Sequence, residues 1–227
     1  MPPMGTLYLV RHGQASFGAD DYDRLSELGH RQCEALGRTM AQRGLCPSAV
    51  LVGTLRRHQE SWTALAKGLG GPTPDTQAWP GLNEYDSQAL LEAIGGEALP
   101  PRDTPEGFKA HFRRLRHALV AWMEGAIAPR GMPSYRGFRE GVVQALAHVQ
   151  AHHVDHPVLM ISSGGPISTA VAHVLAAPAS TSIDLNMRLR NSSLTEMVVT
   201  PKRLELLAFN TLPHLEDGPR RAWVTYA

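Results

Sequence analysis

The sequence predicts an α/β protein: a three-layer α/β/α sandwich with a mostly parallel sheet and a helical cap insertion. Three observations carry that expectation. Short, wholly apolar or aromatic segments at 7–10, 49–52 and 158–161 read as strands buried on both faces. Segments with apolar residues at helical spacing alternate with them, which is the pattern of parallel strands joined by crossover helices. Two last strand-like runs, 194–199 and 204–209, are joined by Thr200-Pro201-Lys202-Arg203 into a closing hairpin.

The elements follow in order. The strand Leu7-Tyr8-Leu9-Val10 runs into Arg11-His12-Gly13-Gln14, and Gly13 breaks it, delivering Arg11 and His12 to its C-terminal end. Residues 18–23 read as an exposed acidic loop. Ser26 is a plausible N-cap for a helix carrying Leu28, Cys33, Leu36 and Met40, which Gly44 ends. After strand 49–52, Gly53-Thr54 leads to a helix with Arg57, Trp62, Leu65 and Leu69 that Gly70-Gly71-Pro72 terminates. The stretch 72–105 is rich in Pro and Gly and holds one short helical piece, 88–94. Thr104 as N-cap, Pro105 at the first helical position and Glu106 in the first turn start the next helix. Its apolar stripe is Phe108, Phe112, Leu115, Leu119 and Trp122. Lys109, Arg113, Arg114 and Arg116 flank that stripe and read as a solvated face. A helix over 134–153 turns Phe138, Val142, Ala145, Leu146 and Val149 inward. Ser162-Ser163-Gly164-Gly165-Pro166 then turns strand 158–161 into a helix ending near Leu175. The whole chain, 1–227, reads as one domain whose helical insertion, about 84–155, caps one side of the sheet's C-terminal edge.

Composition bounds the function classes. With 227 residues, 43% hydrophobic and 19% charged, the chain is an ordinary globular one, and its net charge of +1 argues against a nucleic-acid or membrane-surface binder. Anion binding must come from a few placed arginines. Cys33 and Cys46 are the only cysteines, each in or near a helix, so no disulfide framework is expected and a cytoplasmic location fits. The N-terminus lacks the basic start of a signal peptide, and no apolar run is long enough to span a membrane.

The chemistry starts at Arg11 and His12. Open α/β sheets build ligand sites at the C-terminal ends of their strands. A guanidinium clamps phosphate oxygens through a planar fork while a neighbouring imidazole can attack phosphorus. The segment LVRHGQ, residues 9–14, resembles the signature of the histidine phosphatase (phosphoglycerate mutase-like) superfamily. Leu25-Ser26-Glu27-Leu28-Gly29, with Gln32, resembles that family's L-T-x-x-G-x-x-Q helix start. Gly53-Thr54-Leu55-Arg56-Arg57 falls at its S-P-L-x-R, with Ser61 at a usual Thr. Leu82-Asn83-Glu84, Asn191-Ser192-Ser193 and Asn210-Thr211-Leu212-Pro213-His214-Leu215 resemble further landmarks in the expected order.

The resemblance implies a phosphomonoesterase that passes a phosphoryl group to His12 without metal or cofactor, on a small phosphorylated substrate or a phosphoprotein. Arg11 and Arg57 would hold the oxygens, with Arg56 the alternative from register alone. Glu84 would be the proton donor, with Asp86 the fallback. Ser163 and Gly164 would complete the phosphate-binding residues. One landmark departs from its pattern: Val158 to Ile167 resembles a strand followed by S/T-H-G-G-x-I, but Ser163 stands at the histidine. A hydroxyl offers one neutral hydrogen bond and no charge. Reduced activity follows, and a catalytically inactive relative that binds a phosphorylated ligand is the alternative; a phosphoglycerate mutase ranks lower, since it must also keep phosphohistidine from water. Among other histidines, His214 lies in a landmark, His173 sits deep in the helix after Ser163, and His58, one residue after Arg57, is expected to point elsewhere on its helix. His148, His152, His153 and His156 read as a polar helix terminus rather than metal ligands, and Ser163 lacks the glycine two residues before it that a hydrolase elbow needs.

Overall fold

The computed structural model describes residues 5–16, 23–101, 104–216 and 218–226; of the expected acidic loop, all but Asp23 lies outside them. The strands are β1 (Gly5–Arg11), β2 (Ala49–Val52), β3 (Thr76–Ala78), β4 (Val158–Ser162), β5 (Leu194–Val199) and β6 (Leu204–Thr211). The helices are α1 (Glu27–Gln42), α2 (Arg56–Leu69), α3 (Ser87–Ile94), α4 (Pro105–Met123), α5 (Tyr135–His152), α6 (Gly164–Val174) and α7 (Thr181–Asn186). One six-stranded sheet has the order β3-β2-β4-β1-β5-β6. Its first four strands run parallel, and β5 and β6 close it as an antiparallel hairpin. The mixed α/β class is the one the sequence predicts; β3 and α7 are additions, short elements in segments too broken by Pro, Gly and Ser to show a period.

The sheet is buried on both faces because its strands alternate apolar residues to both sides. Leu7, Leu9, Leu51 and Met160 meet Val142, Leu146 and Val149 of α5 and Ile167 and Val171 of α6. Tyr8, Val10, Val50, Val52 and Ile161 meet Leu36 and Met40 of α1 and Trp62 and Leu65 of α2. A third cluster joins Leu90 of α3, Leu119 and Trp122 of α4, Phe138 of α5 and Ile183 of α7. Within the segment 84–155, α3 and α4 thus build this separate core, while α5 reaches from it onto the sheet.

Helix starts follow the N-cap chemistry of the sequence. Ser26, Thr104 and Ser134 accept bonds from the amides of Gly29, Gly107 and Gly137. Phe108 departs from its expected inward place: it is 50% exposed and packs on Phe112, because the buried face at this end of α4 runs through Gly107 and His111, one residue to the side. The basic residues do face solvent, Arg116 pairing with Asp184 at 2.5 Å. Helix α5 stops at His152, so His156 leaves its face, and among the described residues no cluster of three or more His, Cys, Asp or Glu could hold a metal ion. Among the same residues, no helix is long and apolar enough to cross a membrane.

Helices α1 and α2 approach closely at Gly37 and Gly68. A Cβ on Gly37 would sit 2.1 Å from the carbonyl oxygen of Leu65, and one on Gly68 2.1 Å from that of Glu34. Backbone cannot yield as a side chain can. Gly37→Ala is expected to destabilise the protein by about 1–3 kcal/mol through overpacking, a loss that urea unfolding will read.

Candidate active site

Three strand ends place the site. Arg11 of β1 is in register with Ser162 of β4, and Val52 of β2 with Ile161, so residues 11–13, 53–54 and 163–164 leave the C-terminal edge side by side. The His12 amide donates to the Ser162 carbonyl at 2.9 Å, and that of Gly53 to Ile161 at 3.1 Å. The turn after His12 is pressed onto the first turn of α1: a Cβ on Gly13 would meet the Gly29 carbonyl at 2.4 Å. Gln32 holds the same turn by accepting from the Gln14 amide at 2.8 Å.

His12 is buried, and its Nδ1 lies 2.7 Å from the Gly13 carbonyl oxygen. A carbonyl can only accept, so Nδ1 carries the proton and Nε2 keeps a free lone pair. Burial, then the charges of Arg11 and Arg57, push its pKa well below the usual histidine value, so the ring is neutral near pH 7. Neutral and held in one tautomer, it has the form a nitrogen nucleophile needs.

The arginines are held from outside the pocket. Arg11 Nη1 donates to the Leu189 carbonyl at 2.5 Å. Arg57 Nη1 pairs with Asp23 Oδ1 at 2.7 Å, while Asp23 Oδ2 accepts from the Arg56 amide at 2.9 Å and so caps α2. Arg56 itself is exposed and pairs with Glu60 at 2.8 Å. Of the two arginines that register alone left open, Arg57 is the buried one and Arg56 the exposed one. The part played by Asp23 was not foreseen, since nothing local separates it from the acidic loop before it.

Glu84 is fixed through its neighbours. Ser162 Oγ donates to the Leu82 carbonyl at 2.7 Å, and Asn83 exchanges bonds with Thr54 at 2.7 and 2.6 Å. Its own carboxylate accepts from the Gly165 amide at 3.1 Å and the Tyr85 amide at 3.2 Å. Gly165 is needed for that approach, because a Cβ there would lie 2.1 Å from Glu84 Oε1. Burial raises the Glu84 pKa, against the Gly165 amide and the charges of Arg57 and Arg11. Asp86, the fallback, is exposed and is the N-cap of α3, accepting from the amides of Gln88 and Ala89.

Ser163 and Gly164 sit where β4 passes into α6. Ser163 is the N-cap residue, yet its hydroxyl makes no capping bond. It lies instead 2.7 Å from His58 Nε2. Here the structure corrects the sequence reading: His58 does not point elsewhere but is fully buried, its ring centroid 5.8 Å from that of His12. The inner face of α2 is two residues wide, as the buried pairs Arg57/Ser61 and His58/Trp62 show, so consecutive residues both turn inward. That doubling of buried i, i+4 pairs was the available signal.

The remaining histidines are placed elsewhere. His173 is exposed on α6, 3.3 Å from Arg139 Nη2. His214 Nε2 lies 2.9 Å from Ser192 Oγ, and the Ser192 amide donates to the His12 carbonyl at 3.1 Å. Ser192 has a φ of 55°, a left-handed conformation that costs energy in a non-glycine residue and that the His214 contact helps to hold. His214 therefore supports the backbone behind His12.

This sheet edge brings together a buried imidazole, two buried arginines whose charges act on it, and a carboxyl of raised pKa. The family model of the histidine phosphatase superfamily (branch 1) matches residues 7–212, and the chain belongs to that family. Over 88 residues it is 36% identical to a 2,3-bisphosphoglycerate-dependent phosphoglycerate mutase of Chelativorans sp. (strain BNC1), a match covering 36% of this chain and 43% of that protein. The match thus spans less than half of the curated relative's length. Two solved structures share the fold: a mycobacterial glucosyl-3-phosphoglycerate phosphatase, with a TM-score of 0.62 and 21% identity over 92% of this chain and 99% of its own; and a mutant phosphoserine phosphatase of Entamoeba histolytica in complex with phosphoserine, with a TM-score of 0.65 and 15% identity over 93% and 99%.

Proposed function

We propose that the protein is a phosphomonoester hydrolase working through a phosphohistidine on His12. The observation that carries this reading is the His12 ring itself, neutral, its Nδ1 tied to Gly13 and its Nε2 free beside Arg11 and Arg57. Nε2 attacks phosphorus, the phosphorus–oxygen ester bond breaks, and the leaving oxygen takes the proton of Glu84. The Glu84 carboxylate then takes a proton from water, whose oxygen attacks phosphorus; the nitrogen–phosphorus bond breaks, releasing inorganic phosphate and neutral His12. Charge builds on the phosphoryl oxygens throughout, where Arg11, Arg57 and the first amides of α6 at Gly164 stabilise it. Structural relatives named as phosphatases of a phosphorylated sugar acid and of phosphoserine support a small phosphorylated substrate.

The inactive-relative reading rested on the serine at position 163, and the imidazole of His58 beside that serine weighs against it. The mutase reading has the name of one partial relative behind it, and a coupled assay converting 3-phosphoglycerate to 2-phosphoglycerate tests it.

Glu84 supplies a prediction. As general acid it acts only when protonated, so turnover falls as pH rises through its raised pKa. Glu84→Gln keeps the shape and loses the proton. It is expected to slow hydrolysis of an alkyl phosphate by about 10²–10⁴-fold and to remove the alkaline limb of the pH profile. Formation of the phosphoenzyme from p-nitrophenyl phosphate, whose leaving group needs little protonation, is slowed less. An unchanged pH profile would rule Glu84 out as the acid.

A further inference from the structure

We propose that His58 is a positioning residue that turns the Ser163 hydroxyl onto the phosphoryl group at His12, the two acting as one unit. The proposal rests on the phosphohistidine reading above and adds to it the contact on the α6 side of the group.

Three features of the structure converge on this pair. Ser163 heads α6 but caps nothing; its oxygen is taken by His58 Nε2 at 2.7 Å. The His58 ring is fully buried and lies 5.8 Å from the His12 ring, centroid to centroid, so the bond is made at the nucleophile. Gly53 leaves room for it: a Cβ at that position would fall 2.1 Å from His58 Nδ1. Gly53 and Ser163, both departures from the motif residues at their positions, both meet this ring.

Proton count and the surroundings of Nδ1 together set the direction of this bond. Burial, then the charge of Arg57, lower the His58 pKa to about 3, so the ring carries a single N–H near pH 7. Nδ1 is buried with no hydrogen-bond partner among the described residues, where an unpaired N–H would cost more than an unpaired lone pair, so the hydrogen sits on Nε2; His58 then donates to Ser163 Oγ, and the serine's own proton turns to another acceptor. A phosphoryl oxygen on His12 is that acceptor. The reverse arrangement, with Ser163 donating to the ring, would make the serine a nucleophile and His58 its base. A ring held so far below neutrality is a poor base, and Nδ1 faces the Gly53 backbone rather than a carboxylate that would orient it.

The test is steady-state hydrolysis of p-nitrophenyl phosphate, with calorimetric binding of inorganic phosphate, by wild type, Ser163→Ala, His58→Ala, the double alanine variant, Ser163→His and His58→Ala/Ser163→His. Each single alanine variant is expected to lose about 10–100-fold in kcat with KM nearly unchanged. The double variant should lose no more than either single one, as members of a unit do. Ser163→His alone should gain nothing, because the His58 ring occupies the space beside it. With that ring removed, His58→Ala/Ser163→His should recover at least about tenfold over His58→Ala.

A wild-type kcat in Ser163→Ala, multiplicative losses in the double variant, or a gain in Ser163→His alone would overturn the proposal. Should His58→Ala not fold, Ser163→Ala and Ser163→His still decide it. A phosphoenzyme that survives acid, as phosphoserine does and phosphohistidine does not, would also overturn it. Turnover that persists in His12→Ala defeats the phosphohistidine reading instead. In that event phosphate binding still judges the pair: several-fold weaker binding in Ser163→Ala upholds the contact, and unchanged binding removes it.

Discussion

His12→Ala lowers hydrolysis of p-nitrophenyl phosphate by at least about a thousandfold, the scale on which removing an enzyme nucleophile acts. The loss should fall in kcat. Arg11 and Arg57 are held by Leu189 and Asp23, not by His12, so the variant retains inorganic phosphate binding within about tenfold of wild type. Wild type quenched during turnover should yield a phosphoenzyme that survives alkali and is destroyed by acid, and His12→Ala should yield none. Chelators should change nothing, since no step uses a metal ion. The ring bonds to its own neighbour's carbonyl, and the Ser192 amide bonds to the His12 backbone carbonyl, which alanine keeps, so removing the ring should leave the fold intact, with a melting temperature close to wild type. A variant that folds, binds phosphate and still turns over would show that the nucleophile lies elsewhere.

Much of this site could be read in the sequence because its parts are local. A strand that ends in Arg11-His12-Gly13 announces its own position: the apolar run fixes the strand, and Gly13 fixes where it stops, because Gly29 must pass close by. Thr104, Ser134 and Ser26 were legible as caps for the same reason, since the bond each makes lies within three residues. What the sequence hid was set by contacts between distant segments. Asp23 reaches across 34 residues to Arg57, and His214 across 22 to Ser192. His58 was misplaced by a rule that holds on exposed helices, where consecutive residues diverge. On α2, packed between the sheet and the loop after β1, the buried face is wide enough for Arg57 and His58 together. Phe108 fails in another way: its spacing is helical, but the buried face in the first turns of α4 is the one carrying Gly107 and His111, one residue to the side.

Buried neutral histidines make the fold acid-labile, and the expected size of that effect is large. Burial, then the charge of Arg57 for His58 and of Arg220 for His214, lowers both pKa values to about 3, and His12 is lowered in the same sense. In the unfolded chain each titrates near 6.5. Between about pH 6.5 and 3 the unfolded chain therefore binds protons that the folded protein does not, and stability falls as pH falls. His58 and His214 each contribute up to about 1.4 kcal/mol per pH unit in that window, so the two together approach about 3 kcal/mol per unit, and His12 acts in the same sense. Glu84, with its pKa raised, has the opposite sign: its contribution is present at low pH and is lost as pH rises through its own titration. One carboxyl offsets only part of three histidines. Against a typical total stability of about 5–15 kcal/mol, a loss of that size over two pH units is a large share of the whole. Urea unfolding at half-unit steps from pH 7.5 to 4.5 measures the slope directly. His214→Asn should cost about 1–2 kcal/mol at pH 7.5 by loosening Ser192, yet it should flatten the pH slope by about one histidine's share, because asparagine has no proton to gain. A stability that stays level down to pH 4.5 would mean that these rings are open to water, and a His12 open to water would not be held neutral by burial.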